Sequence, residues 1–405
     1  MPNRETTSHR EDGPPHGRGV RAALAVGLAL AVVALAACGS DDDDGGGGGG
    51  GGGEGGGGAD VQQAKRLVAE AEAPVEFEAP GPAVEFGDEL RGKTYFQIVN
   101  GLEFPFIQGM VAGVKEAAEA TGMNIVVTDG AGSTSKAARL IEQAVGREVD
   151  AIALYGFSPN ALTAPIRGAK DAGIPVVVTV GQDSTAVPPE LKEIGVAGIA
   201  SYSYTGAGRE LANYVIADSE GEAKVTIFDV PEIDASALEK GGFLEQMEKL
   251  CPDCETTTVD APLAQWQSGL PSQTASAIQK DPNVDYLFPM FDGMVFSMIP
   301  SVNRVGAQDR VSIVSNNASQ PLLKDIQSGK PPMAADVGVS THWLGWALMD
   351  QAGRLLVGEP PVDDAKVPLR LFTEKSLRGV DLEANESTWY GDADFRGEYR
   401  RLWGY

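Results

Sequence analysis

Short apolar runs alternate along the chain with segments whose apolar residues recur at helical spacing. The run TYFQIV, residues 94–99, is apolar at almost every position, as in strands that are buried on both faces. The segment that begins at Pro105 instead places Ile107, Met110 and Val114 on one face of a helix. Strand and helix patterns then repeat, so the chain is predicted to have an α/β fold with parallel sheets covered by helices.

The alternation falls into two consecutive sets that meet near Ser203. Before this point the last strand-like run is IPVVVTV, residues 174–180, and after it a helix pattern around Leu211 leads into KVTIF, residues 224–228. Two consecutive open sets predict two lobes. In open α/β sheets, ligands bind beyond the carboxyl ends of the strands, so the cleft between the lobes is the expected binding site.

The N-terminal region follows a different pattern. An apolar run of residues 22–36 comes after Arg18 and Arg21 and is shorter than the roughly 20 residues that cross a bilayer. This arrangement is typical of a secretory signal peptide, predicted here as residues 1–37. The end of the run, Leu-Ala-Ala-Cys, resembles a bacterial lipobox, so Cys38 is the predicted lipidation site. The alternative is an ordinary signal peptide followed by a chance cysteine.

Aspartates and a long glycine tract follow Cys38. These residues bury no apolar area and hold no single backbone conformation, so residues 38–59 are predicted to form the lipid anchor and a flexible tether. Residues 60–91 are predicted to form a short polar helix and a proline-interrupted extended linker. The globular body is therefore expected to begin after this linker.

Composition supports a large globular body. Of 405 residues, 42% are hydrophobic and 22% charged, which is ordinary globular usage. The net charge of −25 repels phosphate backbones and anionic lipid, so we expect no nucleic acid among the partners.

Two of the three cysteines form the pair Cys251 and Cys254. Outside the cell, a pair this close is predicted to be a structural disulfide. A redox motif needs its first thiolate at the start of a helix, whereas this pair follows the helical stretch 238–250. No metal-binding residue is assigned.

Five segments resemble a single protein family. They are EFPFIQGMVAGVKEAAEATG (103–122), VDAIALYGFSPNALTAPIRGAKDAGIPVV (149–177), GRELANYV (208–215), MFDGMVFSMIPSVNRVG (290–306) and LLKDIQSGKPPMAAD (322–336). Together they resemble the type I periplasmic solute-binding proteins, most similar to the ribose-type branch that serves sugar ABC importers. The resemblance implies two Rossmann-like lobes with parallel sheets, joined by a three-segment hinge, that close around one unaltered ligand.

The resemblance also implies the partners and the location. We expect a small-molecule ligand, an ABC permease and contact with the membrane through the lipid anchor, with a monomeric body and no cofactor. The location is expected to be extracytoplasmic, lipid-anchored to the cell membrane, because an anchor keeps the receptor concentrated beside its permease. The expected boundaries are an N-lobe of residues 92–200 plus 338–366, a C-lobe of residues 201–337 plus 367–375, and an aromatic C-terminal tail of residues 376–405.

Several positions in the expected cleft depart from the sugar-binding branch. Phe104 stands where the family has an asparagine before proline, and Val180 stands where an aspartate follows the fourth strand. Phe291 and Asn317 likewise replace an asparagine and an aspartate. Each replacement removes hydrogen bonds to a polyol that are worth roughly 1–3 kcal/mol. The pocket is therefore expected to be more apolar than a ribose site.

We expect aromatic rings to stack on a flat or apolar face of the ligand and polar side chains to orient it. The predicted ligand-binding residues are Phe104, Phe106, Phe157, Gln182, Asp234, Phe291, Asp292 and Asn317. The stacking role is assigned to Phe104, Phe106 and Phe291. The orienting role is assigned to Gln182, Asp292 and Asn317. The alternative is that these phenylalanines fill the lobe cores.

The sequence motifs give little support to an enzymatic function. The predicted mature chain has one histidine, His342, and no G-x-S-x-G motif, so no catalytic residue is assigned and the protein is predicted not to be an enzyme. The predicted function is capture of a small solute and its delivery to an ABC importer. The alternative from another class is a ligand-binding receptor for a membrane sensor kinase or chemoreceptor.

Overall fold

The computed structural model describes residues 59–405, so the predicted signal peptide, Cys38 and the tether up to residue 58 lie outside the described residues. The α-helices of this part are α1 Val61–Ala71, α2 Pro105–Thr121, α3 Thr134–Gly146, α4 Thr163–Asp171, α5 Pro189–Ile194, α6 Tyr204–Asp218, α7 Asp234–Leu250, α8 Leu270–Lys280, α9 Asp292–Arg304, α10 Gln320–Gln327, α11 Thr341–Leu356 and α12 Phe395–Leu402. The strands are β1 Thr94–Val99, β2 Asn124–Asp129, β3 Ala151–Tyr155, β4 Val176–Thr179, β5 Val196–Ile199, β6 Lys224–Asp229, β7 Glu255–Asp260, β8 Tyr286–Pro289, β9 Ser312–Asn316, β10 Met333–Val339 and β11 Leu369–Thr373.

The strands form two sheets. The first has the order β2-β1-β3-β4-β5, and the second has the order β11-β10-β9-β8-β6-β7. Neighbouring strands run parallel except β10 and β11, which are antiparallel. We call the first sheet with its helices the N-lobe and the second the C-lobe. The predicted α/β fold with two lobes and parallel sheets is confirmed.

The chain passes between the lobes at three internal points. These are the connections from β5 to α6, from β10 to α11, and from α11 back to β11, because α11 packs on α2 and on the N-lobe strands. They form the three-segment hinge that the family resemblance implied.

The terminal segments add two further passages among the described residues. Helix α1 packs on α6 of the C-lobe before the chain reaches β1, and α12 packs on α11 after the chain leaves β11. The two segments also bond to each other. The backbone N–H of Val75 donates to Tyr390 O at 2.8 Å, and that of Phe86 donates to Trp403 O at 3.0 Å. We call residues 72–86 and 386–405 the terminal strap.

Aromatic rings fasten the strap to the N-lobe. Trp403 is fully buried, with its ring stacked on Trp346 at 5.2 Å between centroids and on Phe86 at 5.4 Å. Its indole Nε1 donates to Asp350 Oδ1 at 2.8 Å. The other carboxylate oxygen, Asp350 Oδ2, accepts from Arg354 Nε at 2.8 Å, so both oxygens of this buried group have partners. The aromatic tail therefore packs on the N-lobe.

A buried arginine fastens the strap to the C-lobe. Arg370 of β11 donates to the backbone carbonyls of Glu72, Trp389 and Ser376, which lie in or beside both halves of the strap. Its guanidinium also lies 5.5 Å from the ring centroid of Phe372. Because these carbonyls use its donors, this cation acts as a structural clamp.

Glycines allow two pairs of helices to pack closely, α6 with α7 in the C-lobe and α2 with α11 in the N-lobe. A Cβ atom on Gly242 of α7 would lie 2.0 Å from the carbonyl oxygen of Thr205 in α6, and one on Gly208 would lie 2.0 Å from Glu239 O. In the N-lobe, a Cβ on Gly345 of α11 would lie 2.5 Å from Val114 N of α2. The absence of side chains here lets the helices approach, and it brings Glu239 close to the start of α6.

Cys251 and Cys254 form a disulfide directly after α7, as the sequence predicted. The bond closes a short turn in which the backbone N–H of Cys254 donates to Cys251 O at 2.9 Å. The disulfide thus lies between α7 and β7, away from the carboxyl ends of the strands.

Candidate functional site

The predicted ligand-binding residues all lie in segments that leave the carboxyl ends of strands. Phe104 and Phe106 follow β1, Phe157 follows β3, Gln182 follows β4, Asp234 follows β6, Phe291 and Asp292 follow β8, and Asn317 follows β9. The carboxyl ends of strands are the edges at which open α/β sheets bind ligands. The cleft between these edges is the candidate site.

Two of the predicted aromatic residues lie together with tyrosines that the sequence did not single out. Phe106 and Phe291 are partly buried and pack against the apolar cluster that contains Tyr155, Tyr202 and Tyr204. The rings of Phe106 and Tyr202 are 6.5 Å apart, and those of Tyr202 and Tyr204 are 4.3 Å apart. These rings form an aromatic wall along the cleft.

The other two phenylalanines lie elsewhere. Phe157 is 7% exposed and belongs to a separate N-lobe core cluster, where its ring lies against Gly130. Phe104 is 43% exposed, and its ring lies close to Gly101. Among the described residues, neither is one of the rings paired with Tyr202 or Tyr204.

The lobes approach each other near Gln182 and Asp234. A Cβ on Gly181 of the N-lobe would lie 3.8 Å from Asp234 Cβ at the start of α7. Beside it, the Asp183 carboxylate accepts from the backbone N–H of Thr205 at 3.1 Å and from its hydroxyl at 2.5 Å. Gln182 is partly buried and Asp234 is exposed, so these two residues border the mouth of the cleft.

Asp292 and Asn317 meet at the turn between β9 and α10. Asp292 is 2% exposed, and its Oδ2 accepts from the backbone N–H of Ser319 at 2.6 Å. Asp336 of β10 accepts from the backbone N–H of Ala318 at 3.0 Å. Asn317 and Ala318 have φ angles of 125° and 53°, which L-residues rarely adopt. Two buried carboxyl groups thus hold a strained turn at the edge of the cleft.

Glu239 of α7 is the main polar residue that the ligand-site prediction left out. It is fully buried, and its Oε2 accepts from the amide Nδ2 of Asn316 at 3.2 Å. Its position four residues from both Ala235 and Phe243 puts it on the buried face of α7, and this spacing is the signal that could have identified it. Glu239, Asp292 and Asp336 therefore form a buried acidic group at the carboxyl edge of the C-lobe sheet.

Burial controls the protonation of this group. Burial raises the pKa of Glu239 well above its ordinary value, and the nearby charge of Asp292 adds to the rise. The pKa values of Asp292 and Asp336 are also raised, since both are desolvated and, for Asp336, the neighbouring Asp292 charge disfavours a second ionisation. Burial and the negative charge of Glu239 likewise raise the pKa of Tyr204. The cleft is thus short of positive charge.

Comparison with known proteins places the chain among two-lobed solute receptors. A family model described as "Periplasmic binding protein domain" matches residues 97–360. The ribose import binding protein RbsB of Bacillus subtilis (strain 168) is 23% identical over 286 residues, which cover 68% of this chain and 86% of that protein.

Solved structures of this fold superimpose on both lobes. A solute-binding protein from Agrobacterium vitis with bound allitol has a TM-score of 0.64 at 18% identity, covering 73% of this chain and 100% of that one. A 5-methylthioribose transporter solute-binding protein from Thermotoga lettingae TMO, in complex with 5-methylthioribose, has a TM-score of 0.64 at 17% identity, covering 79% and 99%.

Proposed function

The chain belongs to the periplasmic binding protein family, whose members bind solutes and are not enzymes, and from this premise we propose that it is an extracytoplasmic lipoprotein that captures a small solute and delivers it to an ABC importer. Relatives named for ribose import and 5-methylthioribose transport support a sugar-like solute. Closure of the two lobes would select the bound form for recognition by the permease.

The aromatic wall is the observation that supports a pocket less polar than a ribose site. The ring of Phe106 lies 6.5 Å from that of Tyr202, and Phe291, which packs against the same apolar cluster, lies 6.3 Å from the ring of Trp266. Rings of this kind bury the apolar face of a ligand, whereas a fully hydroxylated ligand would leave polar groups unpaired against them. We therefore propose that the solute combines a polar end with an apolar one.

Ribose and 5-methylthioribose provide a matched test, because they differ by a hydroxyl and a methylthio group on the same body. We expect 5-methylthioribose to raise the melting temperature of the mature body more than ribose does, and to reduce the radius of gyration in small-angle scattering. Phe291→Ala should weaken this response, whereas Phe296→Ala, whose side chain is 48% exposed on the same helix, should leave it unchanged. A stronger response to ribose would contradict the apolar pocket.

Membrane attachment through Cys38 is testable by fractionation. Among residues 59–405, helices long and apolar enough to cross a bilayer are absent. We expect the wild-type protein to fractionate with membranes and the Cys38→Ala variant to be released into the medium, since several acyl chains are needed for stable anchoring. Cys254→Ser serves as the cysteine control and should stay with the membranes. Retention of Cys38→Ala in the membrane fraction would contradict the lipoprotein assignment.

A further inference from the structure

Not every oxygen of the acidic group at the cleft has a hydrogen-bond partner in the protein. Each of the three carboxyl groups accepts one hydrogen bond through one oxygen, from Asn316 Nδ2, Ser319 N and Ala318 N. The second oxygen of Glu239, Oε1, has no protein partner among the described residues, whereas Asp292 and Asp336 lie close enough to share a hydrogen bond with each other. These side chains are 0%, 2% and 0% exposed. Buried oxygens of this kind normally have partners.

A further buried acceptor beside Glu239 has no protein partner among the described residues. It is Asn316 Oδ1, which belongs to a fully buried side chain at the end of β9. The amide nitrogen of Asn316 already donates to Glu239, so its free oxygen can only accept. This part of the cleft therefore offers mostly acceptors, and it suits a ligand that supplies several donors.

The chain supplies this group with no positive charge of its own. Among the described residues, no lysine, arginine or histidine forms an ion pair with Glu239, Asp292 or Asp336. Lys240 pairs with Asp229, and Arg370 donates to three backbone carbonyls. Elsewhere the same chain pairs a buried acid with a cation, since Asp350 is bonded to Arg354.

The rings of Tyr202 and Tyr204, whose centroids are 4.3 Å apart, belong to tyrosines whose hydroxyls lie near Glu239. The charge of Glu239 acts on both Tyr202 and Tyr204, and all three side chains are buried. Carboxyl groups beside aromatic rings are the arrangement that recognises organic ammonium groups, because the rings attract cations through their faces. The three acids are not grouped closely enough to hold one metal ion.

Resting on the proposed function, we propose that the solute carries a protonated amine. The ammonium binds Glu239 Oε1 beside the Asp292 and Asp336 pair, while the apolar body of the solute packs against Phe106, Phe291 and the tyrosines. An ammonium has three donors and no acceptor, which matches the surplus of acceptors. It also supplies the positive charge that the buried acids lack.

Matched amines and alcohols test this assignment. The probes are benzylamine and benzyl alcohol, cyclohexylamine and cyclohexanol, and D-glucosamine and D-glucose, measured by thermal shift and calorimetry on the mature body at neutral pH. At least one amine should bind about 10- to 100-fold more tightly than its alcohol, the range expected for charge-assisted hydrogen bonds. Glu239→Gln keeps the size and the Asn316 contact but should reduce that amine to the affinity of its alcohol.

Control variants separate charge recognition from folding. Glu245→Gln changes an exposed acid on the same helix, paired with Arg209, and should leave amine binding unchanged. Asp336→Asn gives a second cleft variant if Glu239→Gln folds poorly, and it should also reduce amine binding. Alcohols that bind as well as their amines, or no response to any amine, would overturn the assignment. The proposed function would still stand if ribose or 5-methylthioribose closed the lobes.

Discussion

Replacing Trp403 with alanine should lower the free energy of unfolding by about 3–5 kcal/mol, although the residue lies near the end of the chain. The substitution removes a fully buried indole that stacks on Trp346 and Phe86, and it leaves Asp350 with an unpaired oxygen. Chemical denaturation followed by circular dichroism would measure the change.

Two further variants separate the contributions to this loss of stability. Trp403→Phe keeps most of the ring but removes the bond from Nε1 to Asp350, so it should cost only about 1–3 kcal/mol. Phe296→Ala truncates an aromatic ring that is 48% exposed, and its effect should stay within about 0.5 kcal/mol. A loss below about 1 kcal/mol for Trp403→Ala would mean that the strap does not stabilise the N-lobe.

Neighbouring glycines on α7 should respond in opposite directions to the same substitution. Gly242→Ala should destabilise the protein by about 1–3 kcal/mol or more, because the new Cβ would lie 2.0 Å from the Thr205 carbonyl oxygen and push α7 away from α6. Gly241→Ala meets no atom within 4 Å and should stabilise the helix by about 0.5–1 kcal/mol.

The same pair of variants reports on the cleft. Glu239 lies one turn before Gly242 on α7, so a displaced helix should weaken solute binding in Gly242→Ala but not in Gly241→Ala. Unfolding midpoints and calorimetric titration with the best-binding solute would measure both effects. Equal stability of the two variants would contradict the close contact between α6 and α7.

Much of the framework could be predicted from the chain because apolar periodicity is local. The run Thr94–Val99 was predicted as a strand, and β1 has the same bounds. The repeated alternation also predicted two lobes, and the family resemblance implied the three internal passages. These features depend on patterns within a few residues or on motifs of one βα unit.

The acidic group was harder to predict because its members come from three separate elements. Glu239, Asp292 and Asp336 lie on α7, α9 and β10, and they meet only when the C-lobe sheet is assembled. In the sequence, Glu239 is followed by a lysine and lies in a polar stretch, SALEKGG, that resembles an exposed helix face. Its spacing from Ala235 and Phe243 indicates the buried face of α7, but its burial also depends on the glycine contact with α6, which is not local.

The terminal strap was missed for a related reason. Its two halves are separated by almost the whole body, and they pair through backbone hydrogen bonds such as that from Val84 N to Leu402 O at 2.7 Å. The sequence marks the tail as aromatic, but it does not show which surface the rings pack against. The tail's partners on the N-lobe, Trp343 and Trp346, lie on α11 and carry no mark of this role in the sequence.

Helix α1 gives the two lobes unequal connections to the predicted tether. It lies on the C-lobe, where Asp60 N bonds to Leu250 O at 2.7 Å and Ala64 is buried in the C-lobe core. In the lipoprotein that we propose, the flexible tether therefore joins the C-lobe directly. The N-lobe is connected to the membrane through the C-lobe, the hinge segments and the terminal strap.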